Sequence, residues 1–329
     1  MTEARLAIAC LGAGRMGRGI AVAFAYAGHG VTLIDVKPRS AQQFADLEAD
    51  AVGELRKTLA SLTRFGLLNP EQAETVIARI SIAPSRSSAA ALAKAGLVFE
   101  GVPEVVELKR EVLAAASRIV DPEITIASTT STILVDDLSG AIERPGRFLN
   151  VHWLNPAYLI PLVEISPGSK TYPAVTENIK SLLEGIGKVP VVCAATPGFI
   201  VPRIQALAMN EAARMVDEGV ASAADIDKAI RYGFGFRYAV LGLLEFIDWG
   251  GGDILYYASR YLEGALGSDR YRAPDVISRN MEEGRIGLRT GSGFLDYSGL
   301  DVDAYREQRL AALVEMLRHF GLARPPVLD

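Results

Sequence analysis

Short unbroken apolar runs alternate along the first two thirds of the chain with longer stretches whose apolar positions recur every three or four residues. Leu6 to Leu11, Val31 to Ile34, Leu97 to Glu100, Ile124 to Ala127, Phe148 to Val151, Leu162 to Ile165 and Lys188 to Cys193 read as strands. Between the first two, Ile20, Ala21, Phe24 and Ala25 fall at helical spacing. Ser40 to Phe65 carries Ala41, Phe44, Leu47, Ala51, Leu55 and Leu59 as one stripe. A second helix begins at Asn69-Pro70-Glu71-Gln72, with Asn69 as N-cap, Pro70 in the first turn and Gln72 completing a capping box. Buried strands alternating with helices predict an α/β fold: a Rossmann-type doubly wound sheet over 1–195, with a helical insertion at about 41–79.

After Pro197-Gly198 the strand pattern stops and an all-helical domain over 196–329 is predicted. Ile204, Leu207, Ala208, Ala212 and Met215 form a stripe, and Ser222 to Asp225 opens a helix in capping-box style with Ile226 and Ile230 facing inward. Phe234, Phe236, Tyr238, Leu241, Leu243, Leu244, Phe246 and Ile247 are too apolar for one exposed helix, so a core position is expected, with a homodimer interface beside it. Asp248 to Asp253, with three glycines, reads as a flexible break, and Gly291 to Phe294 as a turn. Val302 to Phe320 is a closing helix with Leu310, Leu313 and Leu317 inward.

Composition narrows the function class. Half of the 329 residues are apolar and the net charge is −5, which leaves no electrostatic footprint for nucleic acid or an anionic membrane. No run reaches the ~18 apolar residues of a membrane span. The two cysteines, Cys10 and Cys193, sit in strand-like runs and are expected as reduced thiols. A cytoplasmic protein acting on a small molecule is the expectation, and no metal site is assigned.

Candidate chemistry begins at Gly12-Ala13-Gly14-Arg15-Met16-Gly17, placed between a strand and a helix, with Asp35 ending the next strand. In that context the glycines permit a tight turn and close approach of backbone to a pyrophosphate at the helix N-terminus. Asp35 can accept from the adenosine ribose hydroxyls and repels a 2′-phosphate, which favours NAD over NADP; Lys37 and Arg39 temper that preference. Further on, Glu104 and the loop Ser128 to Thr132 follow strand ends, where ligands of open parallel sheets bind. His152 and Glu164 each stand on a short strand, and a carboxylate beside an imidazole fixes its tautomer for general acid/base work. His29 and His319 lack such surroundings.

Taken together these residues resemble the L-3-hydroxyacyl-CoA dehydrogenase family over nearly the full length. The resemblance is carried by the glycine motif, Glu104 with Lys109, Thr130-Ser131, His152-Trp153-Leu154-Asn155-Pro156, Leu162-Val163-Glu164, Thr196 to Val201 and Gly291 to Phe294. The spacings Ser131 to His152 and His152 to Glu164 match the family without a gap. By that resemblance His152 is the acid/base, Glu164 orients it, and Ser131 holds the reacting oxygen and borders the cofactor. Asn155 positions the nicotinamide end, Glu104 and Lys109 contact the cofactor, and Arg289 stands in for a cofactor-contacting lysine. NAD-dependent oxidation of a short-chain L-3-hydroxyacyl-CoA, a place in fatty acid metabolism and a homodimer are implied.

The chain departs from the family at three points. Pro202 replaces an asparagine that binds the reacting oxygen, and proline has no N–H to donate in its place; Gln205, Asn210 and Ser131 are the candidate substitutes. Thr129 replaces a cofactor-loop asparagine. Tyr158-Leu159-Ile160-Pro161 replaces a Met-Lys type of segment and is similar to the gulonate and carnitine dehydrogenase branches and their diketone-reducing relatives. The alternative expectation is therefore the same chemistry on a hydroxy acid without CoA. A crystallin-like protein that has lost catalysis leaves the His152 and Glu164 pair without a purpose. A dehydrogenase using a lysine acid/base requires a lysine within 198–218, which has none.

Overall fold

The computed structural model of the chain describes residues 5–328. Its centre is an eight-stranded sheet: β1 (Ala7–Leu11), β2 (Gly30–Ile34), β3 (Ile80–Ala83), β4 (Leu97–Glu100), β5 (Thr125–Ser128), β6 (Phe148–Trp153), β7 (Leu162–Pro167) and β8 (Val189–Val192), in the order β3-β2-β1-β4-β5-β6-β7-β8. All neighbours are parallel except β6 and β7, which run antiparallel. Parallel strands are covered on both faces, and β1 illustrates it. Ile8 and Cys10 join one apolar cluster with Phe24, Leu55 and Trp153, while Ala9 and Leu11 join another with Leu113 and Phe148. The period of two sorts one strand into two cores.

The first cluster lies under α1 (Arg15–Tyr26), α2 (Ala41–Arg64) and a helix at Pro173–Gly185; the second lies under Val106–Ser117. Both expected capping boxes form, Ser40 with Gln43 at α2 and Asn69 with Gln72 at α3 (Pro70–Ile77). The stripe of α2 buries Ala51, Leu55, Leu59 and Leu62, so this helix pair contributes packing whatever else it does. Strand β3 has no counterpart in the sequence reading. It is an edge strand whose residues are only partly buried or exposed, which removes the apolar run by which inner strands are recognised.

The chain divides into compact units at 1–209 and 210–329, with the division inside the helix Val201–Asp217. In the second unit, the 248–253 segment holds the expected break between helices, with Leu243–Gly250 ending at Gly251 before Gly252–Leu266, but its first residue is firmly anchored. Asp248, 2% exposed, accepts hydrogen bonds from the N–H groups of Phe294 and Leu295 (3.0 and 2.8 Å) and from the Tyr297 hydroxyl. Gly293 belongs to the same device, because a Cβ there would fall 2.1 Å from Asp248 Oδ1. The expected core run at 234–247 is also corrected: Leu241 is buried, but Phe234 and Leu244 are exposed. Leu207, Ile230 and Leu310 are exposed where inward positions are expected, and only Ile226 is buried. Among the described residues no helix is long and apolar enough to cross a membrane, and no group of three His, Cys, Asp or Glu side chains is placed to hold a metal ion.

Candidate active site

The β6–β7 register sets His152 directly opposite Glu164. Directly opposed residues of an antiparallel pair project to the same face with Cβ atoms about 4.5–5.5 Å apart, so strand pairing alone brings the two side chains together. His152 Nδ1 lies 2.7 Å from Glu164 Oε2, and both residues are buried. Glu164 Oε1 in turn accepts from the backbone N–H groups of Ile200 (2.9 Å) and Val201 (2.8 Å), where the next helix begins. Burial pushes the Glu164 carboxyl upward, but the hydrogen bond from His152 and those from Val201 and Ile200 outweigh it and hold it below its ordinary value. An ionised Glu164 can only accept, so the contact places a proton on Nδ1, and in the neutral ring Nε2 is then the acceptor.

At the carboxyl end of β1, on the same edge of the sheet, the glycine loop has the shape a pyrophosphate requires. Gly12 has φ 108°, and a Cβ on it would lie 2.9 Å from the Gly101 carbonyl; a Cβ on Gly17 would lie 2.2 Å from the Gly12 carbonyl. These two glycines are demanded by the fold. Gly14 is different: a Cβ there meets nothing within 4 Å, and as N-cap of α1 it brings no side chain to the first-turn N–H groups. That open helix start is where an anion fits. Arg15 is exposed and Met16 half-buried beside it. Asp35, 4% exposed, ends β2 as expected, but its Oδ2 accepts from Arg39 Nε at 2.6 Å and its Oδ1 from the Lys37 N–H at 3.3 Å. Val36, Ser85, Leu92 and Val112 line an adjoining recess.

Glu104 gathers the loop after β5. Its Oε1 accepts from the Thr130 hydroxyl, the N–H of Ser131 (3.1 Å), and both the N–H and the hydroxyl of Thr132 (3.2 and 3.0 Å). Burial raises its pKa, and the Thr130 hydroxyl and the Lys109 charge take it below the ordinary value. Ser131 is thus fixed through its backbone, and among the described residues no hydrogen bond occupies its hydroxyl. Lys109 is 1% exposed, and its Nζ lies 2.9 Å from Glu100 Oε1, 3.0 Å from the Val102 carbonyl and 3.2 Å from Glu104 Oε2. An ammonium has three protons, and protein oxygens are within reach of all three, so Lys109 holds the loop through Glu104.

Asn155 is exposed, in cis peptide linkage to Pro156. Arg289 lies in the second unit, paired with Asp253 at 2.5 Å. Pro202 occupies the first turn of its helix, where a missing N–H leaves no intrahelical bond broken. The sequence reading overlooked Glu100, whose second oxygen accepts from Ser128 at 2.6 Å; a carboxylate ending a buried strand, with a lysine nine residues on in the first turn of the next helix, was the available signal. It also missed the Ile200 and Val201 N–H groups, which no side-chain pattern encodes.

Comparison with known proteins identifies the family. The 3-hydroxyacyl-CoA dehydrogenase NAD-binding domain matches residues 7–196, and the C-terminal domain of the same family matches 198–297. The chain is 32% identical to the 3-hydroxybutyryl-CoA dehydrogenase of Bradyrhizobium diazoefficiens, over 89% of this chain and 95% of that protein. It is 30% identical to the 5-formyl-3-hydroxy-2-methylpyridine 4-carboxylate 5-dehydrogenase of Mesorhizobium japonicum, over 94% and 97%. The solved 3-hydroxyacyl-CoA dehydrogenase of Archaeoglobus fulgidus superposes with a TM-score of 0.74 at 30% identity, covering 97% of this chain and 100% of that one. With both domains matched in order along one chain, this protein belongs to the 3-hydroxyacyl-CoA dehydrogenase family of NAD-dependent oxidoreductases.

Proposed function

We propose that the protein oxidises the 3-hydroxyl of a short-chain L-3-hydroxyacyl-CoA to the 3-keto form, with His152 and Glu164 as its acid/base dyad. The observation that carries this reading is the 2.7 Å contact between His152 Nδ1 and a Glu164 carboxylate whose other oxygen is held by two backbone N–H groups. That arrangement leaves Nε2 to take the hydroxyl proton and Glu164 to stabilise the resulting imidazolium. Bound NAD supplies the acceptor for the hydride that leaves the same carbon. Ser131, with its hydroxyl uncommitted, hydrogen-bonds the reacting oxygen. Glu104 and Asn155 contribute to the cofactor site, and Gly12, Gly14, Arg15, Met16, Gly17 and Asp35 hold its pyrophosphate and adenosine. The working form is a cytoplasmic homodimer.

A second reading, the same chemistry on an acid without CoA, is favoured by one observation. The recess beside Asn155 is lined by Arg15, Arg18, Glu54, Thr58, Pro156 and Tyr158, and Arg18 is already bound to Asp50 (2.8 Å) and Glu54. Its charge is neutralised before any phosphate arrives. Turnover of acetoacetyl-CoA and of a 3,5-diketo ester with NADH is compared with turnover of carnitine, gulonate and the pyridine aldehyde named for the Mesorhizobium relative with NAD. Acetoacetyl-CoA is expected to be reduced, and His152→Gln to lower turnover by about 10²–10⁴. No thioester turnover beside turnover of a free acid selects the second reading; near-normal turnover by the histidine variant removes the dyad.

A further inference from the structure

Among the described residues Phe199 is the one non-glycine residue with positive φ, at 44°, and it is 4% exposed. A left-handed conformation strains an ordinary L-residue, because its Cβ crowds the carbonyl oxygen, and glycine is spared that crowding. Gly198, just before it, is also left-handed at φ 77°. The turn made by these two residues directs the next two N–H groups, of Ile200 and Val201, onto Glu164 Oε1. The Phe199 ring meanwhile lies against His152, with centroids 5.6 Å apart and planes 31° from parallel. One residue therefore serves both halves of the dyad: its turn delivers the next two N–H groups to the carboxylate, and its ring lies against the imidazole.

The backbone task alone selects glycine, which makes the same turn without strain. A phenylalanine retained there at a conformational cost indicates a task for the ring. A hydrogen bond at Nδ1 fixes one edge of the imidazole but leaves it free to rock about that bond, and a buried aromatic face removes this freedom. The same face excludes water from the Nδ1–Oε2 contact, where a competing donor would weaken it. We propose that Phe199 is a positioning residue for the dyad, setting the plane of the His152 ring and screening its bond to Glu164 from solvent. The proposal rests on the acid/base reading of His152 and deepens it.

The test reads the dyad directly. With three histidines in the chain, the low-field ring N–H signals are few, and His152→Gln assigns the one that belongs to the dyad by removing it. That proton is expected to exchange slowly with solvent in the wild type. In Phe199→Gly its exchange is expected to accelerate by about tenfold or more, the signature of local opening. Turnover of acetoacetyl-CoA is expected to fall by about 10–100-fold, the scale of a misplaced catalytic group, with NADH affinity unchanged. Phe199→Tyr restores both. Phe199→Leu, which keeps a side chain of similar bulk, carries the same expectation as the glycine variant and replaces it if that variant unfolds. Wild-type exchange and turnover in the glycine or leucine variant overturn the proposal, and so does a wild-type ring proton too labile to observe. The exchange measurement needs no substrate. If His152→Gln keeps its turnover, the acid/base reading fails on its own; if only the Phe199 variants behave as wild type, the positioning role alone fails.

Discussion

A carboxylate buried as deeply as Glu164 takes up a proton unless something in the fold opposes it, and here three donors do. Because its folded pKa is depressed, its contribution to stability is fully present above the unfolded value near 4.5 and is lost as pH falls through the folded one. The stability gap between wild type and Glu164→Gln, from urea titrations, is therefore expected to be widest at neutral pH and to close in acid, by at most about 1.4 kcal/mol per pH unit. A gap that does not change with pH contradicts an ionised Glu164. Asp35 poses a question of selectivity instead. Arg39 is held on its carboxylate, so Asp35→Ala removes a ribose acceptor and frees a guanidinium for a 2′-phosphate. Hydrogen bonds to charged groups are worth about 1.5–3 kcal/mol, and the ratio of kcat/KM for NAD over NADP is expected to fall by about 10–100-fold. An unchanged ratio means the ribose lies elsewhere.

Elements convert such residues into a site, and they also mark where the sequence stopped being informative. The two strands were legible as short apolar runs, and the resemblance joined His152 to Glu164, but the antiparallel register that sets them directly opposite was not legible. The glycine loop was legible, because steric demands at Gly12 and Gly17 leave no other residue type. The ion pair of Lys109 was not. Its place on the first turns of a helix at a strand end suits a ligand contact and a buried ion pair equally well, and only coordinates show the pair. Strand β3 escaped notice because an edge needs no continuous apolar run. The buried pair supplies its own test. Lys109→Met leaves Glu100 uncompensated at 0% exposure, and removing one partner of such a pair costs about 3–5 kcal/mol. Urea unfolding of the cofactor-free protein is expected to register that loss, and a loss under about 1 kcal/mol shows that Ser128 and the Val102 N–H suffice for Glu100.

At the scale of the whole molecule, what remains unexplained is apolar surface on the second unit. In the helix Gly252–Leu266, Ile254, Tyr257 and Tyr261 are 62%, 64% and 73% exposed, at positions i, i+3 and i+7 of one face. Exposed aromatic and aliphatic side chains gathered in one stripe mark an association surface, and faces of obligate homodimers have this core-like character. The 234–247 run, read from sequence as core, is likewise only partly buried within one chain. A self-complementary pairing through a two-fold axis places the stripe against its own copy, which the proposed homodimer requires. Light scattering during size exclusion is expected to give twice the chain mass for the wild type. Ile254→Asp combined with Tyr261→Asp puts two uncompensated charges into each copy of the interface, so the variant is expected at one chain mass with the nucleotide loop still binding NAD. A wild type that runs as a monomer at micromolar concentration rules out the homodimer, and a variant that stays dimeric moves the interface to another face.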